Sequence, residues 1–98
     1  MPALLLLALS LGADPTSESV ELTTATGTLY GTFDLPAGKG PWPVVLIHAG
    51  SGPTDRDGNQ ARLKNDSLKL LGKGLAEKGF ACLRFDKRGV AASAKAMT

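Results

Sequence analysis

The stretch Pro43-Val44-Val45-Leu46-Ile47-His48-Ala49-Gly50-Ser51-Gly52 decides how this chain folds. Its four consecutive apolar residues, Val44 to Ile47, show no polar alternation. That pattern predicts a strand covered on both faces, as in the middle of a parallel sheet. The run then breaks into a loop over residues 49–60, which holds Gly50, Gly52, Pro53 and Gly58. Beyond the loop, Leu68, Leu71 and Leu75 fall at helical spacing and predict a buried stripe. Asn65 or Asp66 caps the start of that helix, offering a side-chain oxygen to an otherwise unpaired N–H. Gly79 ends it in a left-handed conformation, with Phe80 folding back on the last turn. Gly72 and Gly74 each cost the helix about 1 kcal/mol relative to alanine, and both permit close approach to a sheet. Residues 80–85 (FACLRF) form the next strand. A strand, a helix and a strand with one crossover make those two strands parallel and the connection right-handed.

Upstream, residues 19–24 alternate with period two and are rich in β-branched side chains, so they predict a strand. Ala25-Thr26-Gly27 supplies turn chemistry, and residues 28–35 form the return strand of a hairpin. Residues 36–43 are a surface loop. The fold class is therefore α/β: an antiparallel hairpin, then a strand-helix-strand unit of a parallel sheet. Everything after Arg88 reads as a loop or the opening of a further helix.

Composition sets the bounds. Of 98 residues, 43% are hydrophobic and 20% charged, a globular balance. A chain of this size encloses a deep active site with difficulty. The net charge of +2 is too small to point to nucleic acid. No base precedes Lys39, and the bases that follow are dispersed among Asp55, Asp57, Asp66, Glu77 and Asp86. Only Phe80 and Phe85 lie near any of them, so no nucleic-acid face is expected. The lone cysteine, Cys82, excludes an internal disulfide and a multi-cysteine zinc site.

Residues 1–13 have the pattern of an export signal: an apolar core from Ala3 to Leu9, then small residues at Ser10, Gly12 and Ala13. The core is far shorter than the roughly 20 apolar residues that span a bilayer. The expectation is a secreted or periplasmic protein with residues 14–98 as its domain and no membrane segment in the mature form. A buried N-terminal helix is the alternative, because no basic residue precedes the apolar run.

Residues 43–59, PVVLIHAGSGPTDRDGN, resemble the α/β-hydrolase superfamily, nearest to the serine aminopeptidase-like bacterial hydrolases. Residues 65–71 (NDSLKLL) are similar to the start of that superfamily's first sheet-packing helix. Residues 85–93 (FDKRGVAAS) resemble its D-x-R-G-x-G-x-S segment, with Ala91 standing where the pattern has glycine. The resemblance spans residues 19–93. It implies the N-terminal portion of an α/β-hydrolase fold, with strands in the order 1-2-4-3. The implied activity is cleavage of ester or amide bonds, peptide bonds included, through an acyl-enzyme.

The same resemblance assigns roles. Ala49-Gly50-Ser51-Gly52 becomes the oxyanion loop, with the Ser51 backbone N–H as donor and Gly50 as the alternative. His48 braces that loop and is not the general base, while Asp86 and Arg88 brace the turn after the fourth strand. No cofactor and no metal is implied, and the partner is a small ester or amide substrate. The nucleophile of the superfamily sits in a G-x-S-x-G elbow, and neither Ser51 nor Ser93 lies in one. The acid and base that follow the elbow have no counterpart here either. The expectation is thus an N-terminal fragment of a hydrolase, inactive when alone. Two other readings stand beside it: a non-catalytic product of a truncated or frameshifted gene, and a small binding module built on the loop of residues 50–59.

Three further motifs are set aside. Asp55, Asp57, Asn59 and Asp66 imitate a calcium loop, but Gln60 occupies the position of the sharp-turn glycine and Asp66 that of a bidentate glutamate. Asn65-Asp66-Ser67 is a formal glycosylation acceptor that helix capping explains more simply. Gly72-Lys73-Gly74 lies within the helix and lacks the spacing of a phosphate loop.

Overall fold

A computed structural model describes residues 14–96. The expected export signal, residues 1–13, lies outside the described residues. The chain runs β1 (Thr16–Thr24), β2 (Gly27–Leu35), β3 (Val44–Ile47), α1 (Ser67–Glu77) and β4 (Ala81–Phe85), then a single 3-10 turn at Ala91–Ser93. The strands form one sheet in the order β1-β2-β4-β3. β1 and β2 are antiparallel, with Thr16 opposite Leu35 and Thr24 opposite Gly27. β4 pairs antiparallel with β2 and parallel with β3, so Leu83 faces Phe33 on one side and Leu46 on the other. This is the α/β arrangement expected, a hairpin followed by a strand-helix-strand unit.

The hairpin starts three residues earlier than its alternating pattern suggests. Ser17 extends it by donating its hydroxyl to Asp34 Oδ1 at 2.8 Å. At the far end the Thr24 hydroxyl donates to the Gly27 carbonyl at 2.6 Å and closes the turn. The helix termini follow local chemistry as well. The Asn65 carboxamide oxygen accepts the Ser67 N–H at 3.0 Å, whereas Asp66, the N-cap residue at φ 54°, makes no capping bond with its side chain. At the C-terminus Gly79 adopts φ 94°. Its N–H reaches the Ala76 carbonyl at 3.1 Å, and the Phe80 N–H reaches the Leu75 carbonyl at 3.0 Å. That bond pair is a Schellman motif, which a glycine enters without steric cost.

The helix packs differently from the expected leucine stripe. Its buried residues are Gly72 and Ala76. Leu68 and Leu75 are half-buried, and Leu71 is 49% exposed. The cause is the surface beneath it, which is polar: a methyl group at Gly72 would overlap Asp34 Oδ2 and crowd the Arg84 guanidinium. Small residues set the spacing, and the leucines flank the contact. Gly74 has nothing within 4 Å of where its Cβ would stand, so it plays no part in the close approach.

The other face of the sheet carries Val20, Leu22, Leu29, Phe33, Leu46, Leu83 and Phe85 around an apolar concavity of about 490 Å³. This corrects the expectation that β3 is covered on both faces. Ile47 is buried on the helix side, while Leu46 is 62% exposed on the other. Helix α1 covers one face only, and no described element lies over the opposite one.

Candidate functional site

Alternation along β4 directs Arg84 and Asp86 to the helix side of the sheet, and both are buried. Arg84 grips Asp34 of β2 with two bonds, Nε to Oδ2 at 2.7 Å and Nη2 to Oδ1 at 3.2 Å. Its Nη1 donates to Asp57 Oδ1 at 2.5 Å. Burial disfavours the Arg84 charge, but bonding and attraction to Asp34 and Asp57 outweigh it and hold the guanidinium above its ordinary range. Asp86 gathers a second set of donors. The Arg56 backbone N–H reaches its Oδ1 at 2.7 Å, and the Arg56 guanidinium reaches Oδ2 at 2.9 and 3.2 Å. The Ala92 N–H completes the set at 3.2 Å. Arg56 also donates to the Thr32 hydroxyl at 3.0 Å. Two buried carboxylates and two arginines thereby clamp the loop after β3 to β2, β4 and the 3-10 turn.

The loop's own acids complete its shape. Asp55 Oδ1 accepts the N–H groups of Asp57 and Asn59, each at 2.9 Å. Asn59 Oδ1 accepts those of Asn65 and Asp66, also at 2.9 Å, and its amide donates to Asp66 at 2.6 Å. These carboxylates thus serve backbone, carboxamide and guanidinium donors. Among the described residues no group of three or more His, Cys, Asp or Glu side chains comes together to hold a metal ion.

At the start of the loop, Ala49 is buried while Gly50, Ser51 and Gly52 are exposed. Lys87 Nζ donates to the carbonyls of both Gly50 and Gly52, the latter at 2.8 Å. Among the described residues the Ser51 N–H has no partner. His48 Nδ1 donates to the Ala49 carbonyl at 2.8 Å, and its ring meets Phe85 edge-on with centroids 5.4 Å apart. The loop therefore presents an unpartnered N–H on an exposed residue, in a backbone whose Gly50 and Gly52 carbonyls Lys87 holds.

No family model matches the chain. It is 39% identical over 75 residues to the esterase EstD of Thermotoga maritima, a match covering 76% of this chain and 18% of that protein. Among solved structures it is similar to the α/β hydrolase GrgF from Penicillium sp. sh18, with a TM-score of 0.58 and 31% identity over 79% of this chain and 23% of that one. These strands and this helix are part of an α/β-hydrolase fold. The chain spans about a fifth of the length of these two relatives.

Within this α/β-hydrolase segment, the residues singled out from sequence fall into two groups. His48, Gly50, Ser51 and Asp86 gather around the loop after β3. Arg88, in the turn after β4, reaches the hairpin, its Nη1 donating to the hydroxyls of Thr24 at 3.1 Å and Thr26 at 2.7 Å. Ser93 is fully buried and accepts the Tyr30 N–H at 3.0 Å, a structural hydroxyl. Ala91 occupies the left-handed region at φ 46°, the conformation for which glycine is suited. Sequence reasoning passed over Lys87, Arg56 and the Asp34–Arg84 pair. A lone charge within the otherwise apolar β4, Arg84, was the available hint, whereas Asp34 shares its face of β2 with Thr28 and Thr32 and gave none. The reach of Lys87 to two carbonyls some 35 residues away in sequence left none.

Proposed function

We propose that this chain forms the oxyanion-loop part of a serine hydrolase that cleaves ester or amide bonds through an acyl-enzyme. The observation that carries the reading is the unpartnered N–H of the exposed Ser51, on a loop whose Gly50 and Gly52 carbonyls are held by Lys87. When a nucleophile attacks a carbonyl carbon, charge collects on its oxygen, and a preset N–H stabilises that charge without reorganising. A donor of this kind is worth roughly 10²- to 10³-fold in rate. Gly50 N–H is the neighbouring alternative donor. His48, bonded to the Ala49 carbonyl, shapes the loop and takes no proton from a nucleophile.

The similarity to an esterase favours a small carboxylic ester as substrate. The finer kinship to serine aminopeptidase-like hydrolases rests on the run GSGPTDRDGN and widens the class to amides. In this reading the nucleophile elbow, acid and base come from sequence outside these 98 residues, and residues 1–13 direct the protein to the periplasm or outside the cell. The protein needs no cofactor or metal, and binds neither nucleic acid nor, once mature, a membrane.

Sequencing the DNA downstream of the codon for Thr98 tests the reading. It is expected to encode a G-x-S-x-G segment followed by an acid and a histidine, in frame or one frameshift away. A stop followed by DNA without that motif would instead favour a non-catalytic product. The 98-residue chain alone is expected to release no p-nitrophenol from p-nitrophenyl esters above background, and labelling by a serine-directed phosphonate would contradict that.

A further inference from the structure

We propose that Lys87 is the positioning residue that sets the direction of the Ser51 N–H, an inference that takes its catalytic meaning from the hydrolase reading above. The Gly50 carbonyl and the Ser51 N–H belong to one peptide unit. That unit is planar and trans, so its C=O and N–H point in opposite directions. Lys87 Nζ, by holding the Gly50 oxygen on one side, commits the Ser51 N–H to the other. Its second bond, to the Gly52 carbonyl at 2.8 Å, holds the Gly52–Pro53 peptide, so the chain is pinned on both sides of the Ser51–Gly52 unit. An ammonium has three donors and no acceptor, which suits it to bridge two carbonyls.

The loop needs this help. Gly50 and Gly52 flank Ser51, and glycine adopts both signs of φ readily, so the Gly50–Ser51 peptide is free to flip unless its oxygen is held. Flipped, it would present a carbonyl oxygen where the developing oxyanion needs a donor. Lys87 itself is anchored through its neighbour Asp86, which is buried and takes donors from Arg56 and Ala92. A buried carboxylate thereby fixes the start of the lysine, and the lysine fixes the peptide. The ammonium is engaged by two loop carbonyls, so it acts through the peptide.

Two measurements test the proposal separately from the hydrolase reading. The first is NMR on the full 98-residue chain, dispersed in a zwitterionic detergent and labelled at the Gly carbonyl carbons and Ser amide nitrogens. Lys87→Met and Lys87→Leu, which carry no donor, are expected to move the Gly50 and Gly52 carbonyl signals upfield and to change the Ser51 N–H residual dipolar coupling. Lys87→Arg, which keeps N–H donors, should retain most of the wild-type values. An unchanged Ser51 coupling in both Met and Leu variants, with the remaining amides unperturbed, overturns the proposal.

The second is steady-state kinetics on a longer hydrolase that contains this segment. Lys87→Met is expected to lower kcat roughly 10- to 100-fold, the range of a misplaced catalytic group, with KM nearly unchanged. Lys87→Arg should recover most of the loss. An active wild type with an unaffected Met variant overturns the proposal. A wild type inert towards esters and amides overturns the hydrolase reading, while the NMR result still decides the orientation.

Discussion

Ala91 holds φ at 46°, where a Cβ crowds the following carbonyl. Such a residue costs roughly 1–2 kcal/mol, so Ala91→Gly is expected to stabilise the chain by about 1 kcal/mol, measured as a higher urea midpoint. A lower midpoint would refute the strain. The buried pair of Asp34 and Arg84 works in the opposite sense. Asp34→Asn removes the buried one of the two carboxylates that pair with Arg84, Asp57 remaining, and loss of one partner of a buried pair costs up to about 3–5 kcal/mol; a shift below 1 kcal/mol in the same denaturation would overturn that view. Cys82 lies between them in chemistry, with 0% exposure. Burial pushes its thiol up, the Asp34 charge adds to the rise, and Arg84 partly opposes it. The unfolded thiol therefore ionises first, from about pH 8.5. Stability that is complete below that pH is lost as pH climbs through the higher folded value. Wild type should accordingly lose stability more steeply than Cys82→Ala in alkaline denaturation, and parallel pH slopes would contradict the assignment. Position 91 was legible beforehand, because a motif with glycine there announces a left-handed turn. Arg84 was not, since its burial depends on Asp34 and Asp57, which come from separate elements.

Helix α1 shows what periodicity conveys and what it omits. Its existence, its glycine stop and its place between two parallel strands all followed from local pattern. The side it buries did not, because the leucine period was answered by a sheet surface carrying Asp34 and Arg84. Strand β3 was misjudged for a related reason: an apolar run states that both faces avoid water, not which element covers each. The two helical glycines separate cleanly on this account. Gly72→Ala forces a methyl into the space of Asp34 Oδ2 and should destabilise despite its better helix propensity. Gly74→Ala meets open space and should gain about 1 kcal/mol from propensity alone. Thermal melts of the two variants decide the matter, and destabilisation by Gly74→Ala, or stabilisation by Gly72→Ala, would show that the helix sits elsewhere.

For the molecule as a whole, the strand order and the loop that carries Ser51 were both readable from a few motif residues, whereas the clamp that fixes the loop was not. Local sequence encodes strands, turns and caps. It does not encode that Arg56, Asp86 and Ala92 meet, since that meeting exists only after β3 and β4 have paired. The sheet that brings them together has unequal faces, and this governs how the chain behaves alone. Leu22 and Leu46 are each 62% exposed on the apolar side. β3 adds a sheet edge with Val44 beside it, also exposed. An apolar face together with an unpaired edge favours association with further copies or with other apolar surface. The 98-residue chain is therefore expected to self-associate and to bind an apolar dye such as ANS. Leu22→Lys and Leu46→Lys place charges on that face without touching the Asp34–Arg84 side, so they should shift the chain towards monomer in sedimentation velocity. A wild-type chain that sediments as a monomer at every concentration, with no dye binding, would show that this face is covered.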